Sequence, residues 1–388
     1  MSKGVDEDVF EQLLEAVQRF VRERLIPAEN RVEAEDEIPE EIVQDMRDMG
    51  LFGLSIPEEF GGIGLSTLQE SRLVEALCYA SLSFRSLIGT NVGIGSQGLV
   101  MDGTDAQRAE YLPRLASGEM IASFALTEPD IGSDAAHIHT TARRDGSDFV
   151  LNGTKRYITN AVRAGVFTVF ARTDPDRDGG DGVSAFLLPA DTPGITVAKP
   201  DRKLGQRGTK TSDVILDDVR LPESAIIGGP VNLNRGFRTA MKVLDRGRVH
   251  VASMAVGTAQ RMLDIATAYA LERHQFGVPI GQHQLVQAML ADSAADVAAG
   301  RALVRSTAAQ YDSEGQAIRN ASSSKYFCSE MAFRVADRAL QIHGGAGYMA
   351  EYPIERLFRD VRLLRIYEGT SQIQQMIIAR RVLSEFQA

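Results

Sequence analysis

The chain has 388 residues, of which 44% are hydrophobic and 24% charged, and its formal net charge is −10. That length exceeds one compact core and predicts two or three domains. The acidic balance excludes general nucleic-acid binding, and no apolar run is long enough to span a membrane. Cys78 and Cys328 lie far apart without metal-ligand spacing, so they read as small packing residues in a reducing, cytoplasmic setting.

The opening stretch reads as a charged amphipathic helix rather than a signal peptide. Val9, Phe10, Leu13, Leu14, Val17, Phe20 and Val21 recur at helical spacing, and Pro27 is expected to end the run. A second helix is predicted from Pro39 to Met49, then a glycine-marked loop over residues 53–64. Ser66 with Gln69, and Thr104 with Gln107, have the form of capping boxes; the first opens a long helix whose apolar residues include Leu73, Leu77 and Tyr79. Short apolar runs follow at Ile121–Leu126, Phe149–Leu151, Val166–Ala171, Val183–Leu188, Ile195–Ala198 and Val214–Leu216, separated by turn residues. Long helices are then expected over 237–276, 283–313, 317–343 and 370–386. The fold class is α+β: an N-terminal helical bundle (1–118), a middle antiparallel β domain (119–230) and a C-terminal helical bundle (231–388).

Three stretches carry polar chemistry. Arg365–Gln374 sets Glu368 between Tyr367 and Gly369, just before Thr370 and Ser371 restart a helix. Burial beside the ring would raise the pKa of Glu368 toward that of a working base; a structural acid at a helix start has the same local pattern. Phe124–Asp134 runs from a strand into a loop whose N–H groups, Thr127 and Ser133 can meet a polar ligand. In Tyr157-Ile158-Thr159-Asn160 the first and third residues should share one strand face. His343–Gly347 is glycine-rich, but a helix precedes it, so a dinucleotide-binding turn fails on context. Without metal-ligand spacing, an organic cofactor is expected.

Together with Glu272-Arg273-His274-Gln275-Phe276-Gly277 and Gln341–Gly347, these stretches resemble the acyl-CoA dehydrogenase family, in its order and over essentially the full length. The resemblance implies FAD between the β domain and the C-terminal bundle, with an acyl-CoA thioester against it. Glu368 would take the proton next to the thioester carbonyl, and the neighbouring carbon would pass a hydride to flavin N5, giving a trans-2-enoyl-CoA. The N–H of Glu368 and a ribityl hydroxyl would stabilise the thioester oxygen. Phe124, Leu126, Thr127 and Ser133 match the flavin loop, and Tyr157 and Thr159 the strand beside the ring. Tyr157 stands where tryptophan is usual.

Arg273, Gln275, Phe276 and Gln284 match the segment that reaches a neighbouring subunit's FAD, with Arg273 at the pyrophosphate. Gln341 and Gly345 match the adenine side, and Thr370 and Gln372 the phosphate and adenosine end. Such sharing implies at least a dimer, and the family is usually a homotetramer served by electron-transfer flavoprotein. Ser133, Asp245, Arg248, Tyr367 and Gly369 match the acyl-CoA site. Asp245 and Arg248 also fit a solvated helix face. Some relatives carry their base on this helix, where Gly247 stands here.

Arg85, in Phe84-Arg85-Ser86, falls at the far end of the family's acyl pocket, where fatty-acyl relatives place small or apolar residues. The sequence resembles instead glutaryl-CoA dehydrogenases and sulfinopropionyl-CoA desulfinases, whose arginine clamps a terminal anion. Cys78 and Gly89 depart from the glutaryl pattern. Dehydrogenation of a dicarboxyl acyl-CoA is therefore expected. Oxidative decarboxylation of glutaryl-CoA, desulfination without net oxidation, a neutral short acyl-CoA with Arg85 paired internally, and a non-catalytic acyl-CoA binder are the alternatives.

Overall fold

The computed structural model describes residues 4–387. Helices α1 (Glu7–Phe20), α2 (Ile26–Glu35), α3 (Glu40–Asp48), α4 (Thr67–Leu77), α5 (Leu82–Val92), α6 (Gln97–Asp102) and α7 (Asp105–Ala116) form the first layer. Both capping boxes are made, by Ser66 with Gln69 and by Thr104 with Gln107. Two details differ from expectation. Pro27 does not end the first helix: residues Val21–Leu25 widen into a π turn, and Pro27 falls in the first turn of α2, where a missing N–H is tolerated. The helix opened by Ser66 stops at Leu77, so Tyr79 lies in the short link to α5.

The middle layer is one seven-stranded sheet. Its strands are β1 (Ala122–Ala125), β2 (Thr141–Asp145), β3 (Asp148–Thr159), β4 (Val166–Arg172), β5 (Val183–Pro189), β6 (Ile195–Val197) and β7 (Thr211–Pro222). Most pairs are antiparallel as expected, but β1 runs parallel to β4, and β2 meets β4 parallel at its end. The expected strand face over 157–159 is broken. Between the pairs Lys155–Val214 and Ile158–Ser212, β3 carries one extra residue, and Tyr157 adopts φ +58°.

The third layer comprises α8 (Gly236–Glu272), α9 (Gln284–Glu314), α10 (Ile318–His343), α11 (Pro353–Val361) and α12 (Ser371–Gln387). α8 is its axis, packed on α4, α9 and α10. Residues 245–259 of α8 are buried on every face. Most are apolar or small, but Asp245, Arg246, Arg248 and His250 are buried too, and buried charges need partners. Glu29 ties the first layer to the third: it accepts from Arg261 and Arg356 and from the Ser81 N–H. Among the described residues no helix is long and apolar enough to cross a membrane.

Candidate active site

Glu368 is presented by a left-handed turn. Its φ is +52°, and that of Gly369 is +89°. A Cβ on Gly369 would lie 2.5 Å from Gln374 Nε2, so only glycine fits both the backbone and the space. The turn is fixed through its carbonyls. Gln374 Nε2 donates to the carbonyl oxygens of Glu368 and Gly369 at 3.1 Å each, and Lys325 Nζ donates to that of Gly369 at 2.6 Å. Thr370 Oγ1 accepts from the Ile373 N–H and opens α12. The N–H of Glu368 donates to no acceptor among the described residues.

The Glu368 side chain turns inward. Oε2 is shielded from solvent and has no hydrogen-bond partner, although the residue as a whole is only half-buried. Burial raises its pKa, against the opposing charges of Arg85, Lys325 and Arg248. Burial in turn depresses Lys325 to about 8 and lowers Arg248.

A cavity of about 360 Å³ opens in front of this carboxylate. Its walls bring together predicted residues from all three layers: Arg85, Phe124, Leu126, Thr127, Ser133, Tyr157, Thr159, Arg248, Tyr367, Glu368 and Gly369. Tyr157 keeps its ring 59% exposed beside the Arg156 guanidinium, 4.9 Å from the ring centroid. The side-chain hydroxyls of Thr127, Ser133 and Thr159 have no partner among the described residues. Asp245 is off the cavity wall: it accepts from Arg248 Nη1 at 3.0 Å, and both side chains are buried, which removes the solvated-face alternative. Arg273, Gln275, Phe276, Gln284, Gln341, Gly345 and Gln372 are exposed and outside the cavity, and Thr370 is half-buried beside it. A larger cavity of about 790 Å³ borders a different face of α8, at Lys242 and Arg246, and includes none of the predicted site residues.

Several residues that matter here were not singled out as site residues from sequence. A Cβ on Gly247 would sit 2.1 Å from Glu368 Oε2. Lys325, Gln374, Glu70 and His250 complete the surroundings. The only prior signal was the presence of charged residues within otherwise small-residue or apolar helices.

Models of the acyl-CoA dehydrogenase N-terminal, middle and C-terminal domains match residues 7–119, 123–219 and 234–383. The chain belongs to the acyl-CoA dehydrogenase family. A probable acyl-CoA dehydrogenase of Bacillus subtilis (strain 168) is 41% identical over 95% of this chain and 96% of its own. A glutaryl-CoA dehydrogenase solved with glutaryl-CoA superposes with a TM-score of 0.91 at 34% identity, covering 99% of this chain and 97% of that one. An acyl-CoA dehydrogenase of Bacillus anthracis complexed with FAD gives a TM-score of 0.90 at 33% identity, over 99% and 68% of the two chains. FAD is the cofactor of the family. The unpartnered hydroxyls around an uncovered aromatic ring are donors and a surface that fit a flavin.

Proposed function

We propose that this acyl-CoA dehydrogenase oxidises a short acyl-CoA thioester bearing a terminal anion to its trans-2-enoyl-CoA, with Glu368 as the α-proton base. The observation that carries the reading is the pairing of two groups in one cavity. Glu368 Oε2 is buried without a partner, and Arg85 is buried with no carboxylate in ion-pair range among the described residues. An arginine so placed calls for an anion.

Burial raises the proton affinity of Glu368, so Oε2 can accept the α-proton near neutral pH. The Glu368 N–H is available to the thioester oxygen as negative charge grows there. Arg85 holds the far end of the acyl group, which fixes the α-carbon in front of the base. Thr127, Ser133, Tyr157 and Thr159 would hold FAD, which would supply the two-electron acceptor. Ser133 and Arg248, both on the cavity wall, would meet the CoA portion. Arg273, Gln275, Phe276, Gln284, Gln341 and Gly345 serve a neighbouring subunit's FAD in a homotetramer, and Thr370 and Gln372 the phosphate and adenosine end. That sharing is supported by their exposure away from this chain's own cavity. Electron-transfer flavoprotein is the acceptor implied by the family. The same reading divides the chain at 1–118, 119–230 and 231–388, supported by the change from helix to sheet at Ala122 and back at Gly236.

The same site would give a second outcome, decarboxylation after oxidation, if the anionic thioester it takes is glutaryl-CoA. Product mass spectrometry on glutaryl-, succinyl-, butyryl- and 3-sulfinopropionyl-CoA with an artificial electron acceptor tests both. A product two hydrogens lighter from a dicarboxyl thioester supports the proposal, and a crotonyl product adds decarboxylation. Turnover of butyryl-CoA alone, or sulfite release without oxidation, contradicts it.

A further inference from the structure

Arg85 is held in an unusual way. Its side chain runs forward along α5 over Gly89, where a Cβ would lie 2.6 Å from Nη1. Its Nη2 is 3.0 Å from His250 Nδ1. A guanidinium can only donate, so Nδ1 accepts and the neutral ring carries its proton on Nε2. Nε2 lies 3.0 Å from Glu70 Oε1, and the other Glu70 oxygen takes a hydrogen bond from Arg246 Nη2. All four side chains are buried.

The charge count of this cluster is uneven. Arg246 and Glu70 cancel, the His250 ring is neutral, and Arg85 remains with one positive charge at the cavity wall, which opposes the rise in the Glu368 pKa but has no carboxylate within ion-pair distance among the described residues. Burial keeps the His250 pKa below its ordinary value. Glu70 is pushed up by its own burial, but Arg246 and His250 outweigh that and hold it ionised. A carboxylate at position 250 would have neutralised Arg85. An apolar residue would have left its Nη2 unpaired in the interior.

We propose that His250 is a positioning residue for substrate selection: its neutral Nδ1 holds the Arg85 guanidinium in place while leaving its charge to be met by a terminal carboxylate or sulfinate of the acyl group. The inference rests on the anionic-acyl reading above. It goes further in assigning selectivity to a residue on α8 that does not touch substrate and whose Nε2 faces Glu70 of α4. The arrangement separates two tasks. His250 satisfies the donor geometry of Arg85, and substrate satisfies its charge.

The test is kcat and KM for glutaryl-CoA and butyryl-CoA, measured on the FAD-loaded, assembled enzyme with an artificial acceptor. Four variants are compared with wild type: His250→Leu, His250→Met, His250→Asn and Arg85→Ala. His250→Leu should raise KM for glutaryl-CoA at least tenfold relative to butyryl-CoA, with a smaller effect on kcat. His250→Asn, whose amide oxygen can stand in for Nδ1, should recover most of that ratio. His250→Met is read the same way if the leucine variant does not fold. If Arg85→Ala abolishes the glutaryl preference while His250→Leu and His250→Met retain it, the positioning role is wrong and the anion clamp stands. An equal loss on both substrates without recovery by asparagine also overturns it. If Arg85→Ala keeps the wild-type ratio, the anionic reading falls and the positioning role falls with it.

Discussion

A Cβ on Gly247 would fall 2.1 Å from Oε2 of Glu368, so any larger residue there would push the carboxylate from where it stands. This contact decides where the carboxylate can stand. Gly247→Ala should displace Glu368 by a fraction of an ångström to an ångström. Misplacement on that scale predicts a fall in kcat of about 100-fold. FAD content should be unchanged, because Gly247 lies off the cavity wall. Flavin absorbance of the purified variant, read beside its turnover, checks both halves.

Glu368→Gln removes the proposed proton acceptor but keeps the shape and the inward aim of the side chain. Turnover should fall by about 10²- to 10⁴-fold with FAD retained. Wild-type rates in this variant would contradict the assignment of the base.

The pH profile follows from the signs. Burial raises the Glu368 pKa, and Arg85, Lys325 and Arg248 pull it back. If Glu368 is the base, it works only when deprotonated, so the rate of flavin reduction should rise as pH climbs through that raised value. Lys325→Met removes one of the opposing cations, so the Glu368 pKa rises further and the profile moves to higher pH. The difference should be largest below about pH 8, where the wild-type Lys325 is charged. An unshifted stopped-flow profile would show that Lys325 acts only on the Gly369 carbonyl.

Thr127 and Thr159 offer unpartnered hydroxyls at the cavity wall. If they hold FAD as proposed, replacing both by valine deletes two hydrogen bonds to it, each worth about 1 kcal/mol, and should weaken FAD retention roughly 30-fold. Arg273 is exposed and away from the cavity of its own chain. Loss of FAD on Arg273→Ala would therefore report a site shared between subunits, and full retention would contradict sharing. Equilibrium dialysis against free FAD measures both variants.

What could be read from the chain was mostly local. Ser66 with Gln69 and Thr104 with Gln107 marked their helix starts correctly because a capping box is complete within four residues. Glu368, Gly369 and Thr370 likewise announce a turn and a helix start in consecutive positions. Strand β2 was missed because Thr141–Asp145 buries one side chain in five and so lacks apolar alternation. Helix α11 was legible but missed: Pro353 opens it, and Ile354, Leu357 and Val361 recur at helical spacing.

Pro27 misled because a prolines' usual effect is to stop a helix. The π turn before it supplies the different spacing that lets the chain continue. Tyr157 was placed on a regular strand face, and the extra residue in β3 turns it out of register. The partners of Glu368 and Arg85 were illegible for a simpler reason. Gly247, His250, Lys325 and Glu70 come from three other helices, and nothing in local spacing says which of their side chains will meet.

The most direct measurement is anaerobic flavin bleaching of the purified enzyme, followed by stopped flow against butyryl-, octanoyl-, isovaleryl-, succinyl-, glutaryl- and 3-sulfinopropionyl-CoA. A buried carboxylate and an arginine without an ion-pair partner in one cavity predict that a dicarboxyl thioester bleaches the flavin fastest. Fast bleaching by the neutral thioesters, with none by the dicarboxyl ones, would contradict the account and leave Arg85 a structural residue.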